Sequence, residues 1–127
     1  MKKKVLVCDD EPHIAESVAY IVDSLGCECL TAVNGEEALQ YARDELPEAL
    51  VLDVRMPKMD GYAVCAQLKS DMATAGIYII MLTAFGQRRD EEASEAAGAD
   101  EFMAKPFSPR RLRIRLGELL GVAERIR

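Results

Sequence analysis

The apolar residues of this 127-residue chain change their spacing five times, alternating between short continuous runs and recurrence every three or four positions. A continuous run of four to six suits a strand covered on both faces, whereas recurrence at i, i+3, i+4 and i+7 suits a helix with one buried stripe. Alternation of the two predicts repeated strand–helix units, and such units build a parallel sheet with helices on both sides. Right-handed crossovers then distribute the helices over the two faces of a five-stranded α/β sheet.

The spacing places β1 near residues 4–9 and helix 1 from Pro12 to Leu25, with Ile14, Val18, Ile21, Val22 and Leu25 on its buried stripe and Gly26 as its stop. Cys27 to Ala32 reads as β2. Asn34, with Glu37 three residues on, has the pattern of a capping box for helix 2, whose Ala38, Leu39, Ala42 and Leu46 should face inward before Pro47. Glu48 to Asp53 reads as β3, Asp60-Gly61 opens helix 3, and Ile77 to Leu82 reads as β4. Phe102-Met103 marks a fifth strand that leads to Lys105, and Ser108-Pro109 opens helix 5 with Leu112, Leu116, Leu119 and Leu120 on one face. Helix 4, from Arg88 to Ala97, offers only alanines as an apolar stripe, so it should be held weakly.

The length fits one domain that buries roughly two thirds of its unfolded surface. We expect that domain at 1–121, with 122–127 as an extension of helix 5 or a frayed tail. Net charge is -6, which argues against general nucleic-acid binding. The charge is uneven: residues 1–109 hold 10 Lys+Arg against 20 Asp+Glu, and residues 110–127 hold 6 Arg against 2 Glu. Cys8, Cys27, Cys29 and Cys65 form no Cys-x-x-Cys pair and have no histidine at a ligand spacing, so buried free thiols in a reducing cytoplasm are expected. The apolar run after Lys2-Lys3-Lys4 stops at Asp9, too short for a signal-peptide core or a membrane span.

Each apolar run ends on chemistry. Asp9-Asp10 follow Val5-Leu6-Val7, Asp53 follows Leu50-Val51-Leu52, Thr83 follows Ile79 to Leu82, and Lys105 follows Phe102-Met103. In a parallel sheet these carboxyl ends lie side by side, where ligands of open α/β sheets bind. Three carboxylates, a hydroxyl and an ammonium in one crevice suit a hard divalent cation and a phosphoryl group. Mg²⁺ takes one or two carboxylates plus waters and phosphate oxygens, so Asp10 and Asp53 could ligate directly, Asp9 through a water, and the Arg55 carbonyl could complete the set. Asp53 is the candidate nucleophile, since a carboxylate can accept a phosphoryl group in line. Lys105 would neutralise charge, Thr83 would donate to a phosphoryl oxygen, and the small Ala84 would leave room for the donor.

The segments Asp9-Asp10-Glu11, Leu52 to Gly61 (LDVRMPKMDG), Thr83-Ala84 and Gly98 to Phe107 (GADEFMAKPF) resemble the receiver domain of two-component response regulators, and the resemblance spans essentially the whole chain. It implies a flavodoxin-like (βα)5 fold, doubly wound, with strand order 2-1-3-4-5. It implies that Asp53 takes phosphate from a sensor histidine kinase or a histidine phosphotransfer protein, that Asp9 and Asp10 hold Mg²⁺, and that Lys105 pairs with the phosphate across a cis bond to Pro106. Such a protein is not an enzyme in the usual sense: it phosphorylates itself and slowly dephosphorylates on Asp53. Thr83 and Phe102 would form the switch pair, Phe102 standing where a tyrosine is often found. Arg55 and Phe85 would flank the path of the hydrolytic water and slow the loss of phosphate.

Two outputs fit this resemblance: a stand-alone module that shows a changed helix 4–β5–helix 5 face to a downstream effector, or the input domain of a transcription factor without its DNA-binding domain. The second would dimerise on phosphorylation, with Glu91, Asp100, Arg111 and Arg115 as candidate interface residues. An aspartate-nucleophile phosphatase would want an acid two residues after the nucleophile, where Arg55 stands. A nucleotide-binding module would want glycines where Asp9-Asp10-Glu11-Pro12 stand.

Overall fold

The computed structural model describes residues 2–56, 59–84 and 88–122, with the backbone alone described at 84 and 88–91. Strands and helices alternate as β1 (Lys4–Cys8), α1 (Pro12–Ser24), β2 (Glu28–Ala32), α2 (Gly35–Glu45), β3 (Ala49–Asp53), α3 (Gly61–Ser70), β4 (Tyr78–Ala84), α4 (Arg88–Ala96), β5 (Glu101–Lys105) and α5 (Pro109–Leu120). All four strand pairings are parallel, in the order β2-β1-β3-β4-β5, so the expected doubly wound α/β fold is the one observed.

Period-two alternation divides the core. Val5, Val7, Ala49, Val51, Ile80, Leu82 and Met103 pack beneath α1 and α5, through Val18, Ile21, Val22, Leu112, Leu116 and Leu120. Leu6, Cys8, Leu50, Leu52, Ile79 and Met81 pack on the opposite face beneath α2 and α3, through Ala38, Leu39, Ala42, Val64, Cys65 and Leu68. β3 lies at the sheet centre and is buried along its whole length, whereas β2 at one edge is partly open. Each large aliphatic side chain buried in these layers contributes roughly 1.5–3 kcal/mol. Among the described residues, no helix is long and apolar enough to cross a membrane.

The helix starts follow from local chemistry. Asn34 Oδ1 accepts the Glu37 N–H at 2.9 Å, and Glu37 Oε1 accepts the Val33 N–H at 3.0 Å, a reciprocal cap reaching one residue earlier than the usual box. Asp60 Oδ1 accepts the Ala63 N–H at 2.9 Å, and Ser108 Oγ accepts the Arg111 N–H at 3.2 Å. Such caps contribute about 1 kcal/mol each.

Several boundaries differ from the sequence reading. β4 continues to Ala84, which puts Thr83 inside the strand, and α1 ends at Ser24. Leu46 does not face inward: it adopts the left-handed conformation (φ 48°) that terminates α2 and is 54% exposed. A C-terminal residue that turns the chain out of the helix cannot keep its side chain on the buried stripe. Among the described side chains of α4 none is a buried hydrophobe, and Ser94 is buried with no hydrogen-bond partner. Residues 123–127, expected as a tail, lie outside the described residues.

One close approach ties α3 to the end of β3. The Gly61 N–H donates to the Val54 carbonyl at 2.8 Å, and a Cβ on Gly61 would stand 2.4 Å from the Asp53 carbonyl oxygen. The obstacle is backbone, which cannot swing aside. Gly61→Ala should therefore lower the unfolding free energy by about 1–3 kcal/mol or more in urea denaturation. Gly76→Ala, where a Cβ would meet nothing within 4 Å, should stay within about 0.5 kcal/mol of wild type.

Candidate functional site

The parallel register brings the strand ends together. Asp53 is the last residue of β3 and pairs with Leu82, Asp9 directly follows β1, and Lys105 ends β5 opposite Ala84. Thr83 sits opposite Ala104. These ends border a crevice of about 310 Å³ lined by Asp10, Glu11, Asp53, Val54, Arg55, Leu82 and Lys105.

Asp9, Asp10 and Asp53 each offer a carboxylate oxygen within 4.8 Å of the others, Asp9 and Asp53 buried and Asp10 exposed. Asp9 Oδ1 accepts the Glu11 N–H at 2.9 Å. Its Oδ2 is buried and, although 3.3 Å from Lys105 Nζ, makes no aligned hydrogen bond. Lys105 Nζ also lies 3.3 Å from Asp53 Oδ1 and 3.1 Å from Glu11 Oε1, so one ammonium serves three acids.

This crowding sets the proton affinities. Burial and the Asp9 charge push the Asp53 carboxyl up to about 6, against the opposing pull of Lys105 and of the Arg55 N–H. Burial would lower Lys105, but its bond to Glu11 and the charges of Asp53 and Asp9 outweigh this and raise it. Glu11, hydrogen-bonded to Lys105, is held below the usual carboxylate range. Cys8, beside Asp9, is pushed up to about 12 by burial and by the neighbouring acids, so it stays a thiol. Among the described residues the carboxylates of Asp9, Asp10, Glu11 and Asp53 gather around the Lys105 ammonium, which leaves negative charge uncompensated, and a buried carboxylate oxygen without an aligned donor is what a hard cation would satisfy. The donor set therefore fits a divalent metal.

Thr83 is buried, and among the described residues its hydroxyl meets the Met103 carbonyl at 3.5 Å, too long to hold it firmly. Phe102 is half-buried against the α2–α3 side of the core. The Lys105–Pro106 peptide bond is cis. Of Ala84 the backbone position alone is described, and Phe85 and the Glu91 side chain lie outside the described residues. His13 is exposed, 3.8 Å from Glu11.

Two residues expected on a pairing face are engaged within the chain. Asp100 Oδ2 lies 2.7 Å from Lys69 Nζ and accepts the Ile79 N–H at 2.8 Å. Arg115 grips both oxygens of Glu101 and reaches Glu118 at 2.7 Å and the Tyr78 hydroxyl at 3.3 Å. Arg111 is exposed. Sequence reasoning gave Glu11 no role, although its adjacency to Asp9-Asp10 was the available signal. It missed the Arg115–Glu101–Tyr78 network, which joins residues 14 to 37 positions apart.

The fold and this site define a response regulator receiver domain, and the chain belongs to that family, whose pattern it matches over residues 5–117. It is 44% identical over 98% of its length to the probable transcriptional regulator ycf27 of Pyropia yezoensis, covering 50% of that protein. It is 42% identical to the alkaline phosphatase synthesis transcriptional regulatory protein PhoP of Bacillus subtilis, over 98% of this chain and 51% of that one. Among solved structures it resembles DrrB, a Thermotoga maritima OmpR/PhoB homolog, with 30% identity and a TM-score of 0.85 over 95% of this chain and 54% of DrrB. The chain spans about half the length of the relatives named here.

Proposed function

We propose that this domain is a phosphorylation switch in which Asp53 accepts a phosphoryl group from the phosphohistidine of a sensor histidine kinase or a histidine phosphotransfer protein. The observation that carries this reading is the buried Asp53 carboxylate, grouped with Asp9 and Asp10 within 4.8 Å and 3.3 Å from Lys105 Nζ. Asp9, Asp10, Asp53 and the Arg55 carbonyl would hold Mg²⁺, which when bound supplies the positive charge that lets an anionic phosphoryl group approach three acids.

An Asp53 oxygen attacks phosphorus in line. The phosphorus–nitrogen bond to the donor imidazole breaks, and its electron pair returns to the ring. Lys105 leaves its carboxylates for the arriving phosphoryl oxygens, where a compact ammonium is best used. The Thr83 hydroxyl, poorly held at present, re-aims to donate to the same group. Phe102 then turns inward into the vacated space, and the α4–β5–α5 face changes for a downstream effector. Pairing of two copies through that face would require Asp100 and Arg115 to exchange their intrachain partners.

The lengths and names of the relatives favour one output: the chain serves as the receiver input of a transcriptional regulator. With a net charge of -6, this domain leaves nucleic-acid contact to another. The phosphatase reading lacks its general acid, because Arg55 occupies the position where that acid would stand.

Phosphotransfer from a panel of phosphorylated histidine kinases should label the wild-type domain in the presence of Mg²⁺ and should fail for Asp53→Ala from every kinase. Equal labelling of the alanine variant would overturn the assignment.

A further inference from the structure

Cys8 closes β1 on the α2–α3 side of the core and is fully buried. Its sulfur stands between two acceptors: the Asn34 carbonyl, in the cap of α2, at 3.3 Å, and the thioether of Met56 at 3.1 Å. Met56 directly follows Arg55, in the segment that leaves Asp53 for α3. That segment has few other anchors among the described residues. The Val54 N–H donates to the Leu82 carbonyl, the Gly61 N–H donates to the Val54 carbonyl, and Met59 packs on Gly35, where an added Cβ would stand 2.8 Å from the Met59 carbonyl and 2.9 Å from its Cβ.

Val54 and Gly61 fix the two ends of the segment, and Met59 fixes its far side against α2. Beside Arg55, whose N–H donates a long 3.4 Å bond to Asp53 Oδ1, the near side is held where Met56 packs on the α2–α3 core, and the contact that ties it to β1 there is the pair of sulfurs. A thiol is a weak donor and a thioether a weak, polarizable acceptor, so the contact loses little on burial while still setting a distance. The same strand end that carries Cys8 carries Asp9 one residue later, so the contact joins a carboxylate of the crevice to the loop that brings Arg55.

We propose that Cys8 is a positioning residue for the cation site: through Met56 it fixes the loop after Asp53 and thereby the aim of the Arg55 carbonyl. This rests on the reading that the acidic crevice binds Mg²⁺. The sulfurs would act behind the oxygen ligands, and groups that orient metal ligands in this way typically change affinity by 10–100-fold when removed.

The test is calorimetric titration with MgCl₂ of wild type, Cys8→Ala, Met56→Leu and the double variant, with urea stability and amide exchange of residues 54–61 followed alongside. Cys65→Ala is the control for a lost buried thiol, since Cys65 is equally buried but its sulfur faces the Ala97 carbonyl, away from the crevice. Each single variant should weaken Mg²⁺ binding about tenfold and speed exchange in the loop, and the double variant should bind no more weakly than the weaker single. Cys65→Ala should lose stability and keep wild-type affinity. Unchanged affinity in Cys8→Ala, additive losses in the double variant, or an equal loss in Cys65→Ala would overturn the proposal. A wild-type domain that binds no Mg²⁺ would instead remove the reading beneath it.

Discussion

Lys105→Met should take up phosphoryl groups from acetyl phosphate about 100-fold or more slowly than wild type at saturating Mg²⁺. Methionine keeps the length of the side chain and removes its charge. Among the described residues Lys105 is the ammonium that contacts Asp53, at 3.3 Å, and the same nitrogen faces Asp9 and Glu11. A donor dianion entering this crevice meets the carboxylates of Asp9, Asp10 and Asp53, and without Lys105 the charge developing on the transferred oxygens would lose the ammonium that contacts Asp53. Preorganised charge of this kind is usually the largest single contribution to such a reaction, and losing one group costs roughly 10²–10³ in rate. Rates of labelling followed by intact mass check the expectation. A Lys105→Met rate within a few-fold of wild type would mean that Lys105 serves the fold and not the transfer.

The second large effect is on stability. Asp53→Asn should be more stable than wild type in metal-free solution at pH 8, by up to about 3 kcal/mol. Burial and the Asp9 charge push the Asp53 carboxyl up to about 6, well above the ordinary carboxylate range, because both disfavour the charged form. A group whose proton is held more tightly in the folded chain than in the unfolded one contributes stability at low pH that is lost as pH rises through the interval between the two values. For Asp53 that interval runs from about 4 to about 6. An amide does not ionise and escapes the cost. Urea denaturation across pH should show the gap between variant and wild type opening over this interval, and saturating Mg²⁺ should narrow it by stabilising the wild type. A gap that is absent at pH 8, or that widens on acidification, would contradict the electrostatic description of the crevice.

Much of this architecture was readable residue by residue. Apolar spacing located the α1 stripe of Val18, Ile21 and Val22, and the cap residues Asn34, Asp60 and Ser108 marked three helix starts, because both signals are local and their physics is complete within one or two turns. Strand ends placed Asp53 and Lys105 correctly, since a parallel sheet carries every carboxyl end to one side. Leu46 failed because its left-handed turn is imposed by the exit toward β3, which helical periodicity does not register. Arg115 on Glu101 and Cys8 on Met56 were not legible for a different reason. Each depends on which elements become neighbours in space, and nothing in the local pattern encodes the pairing. The segment LDVRMPKMDG carried the resemblance to the family, whereas its contacts with Leu82, Gly35 and Cys8 come from elsewhere in the chain.

Treatment of the wild-type domain with acetyl phosphate and Mg²⁺ under acidic quench, followed by intact and peptide mass analysis, tests the central assignment most directly. The expected result is the gain of a single PO₃ unit, located on Asp53, dependent on the cation and absent from Asp53→Ala. An unshifted mass, or a modification mapped to any other residue, would contradict it.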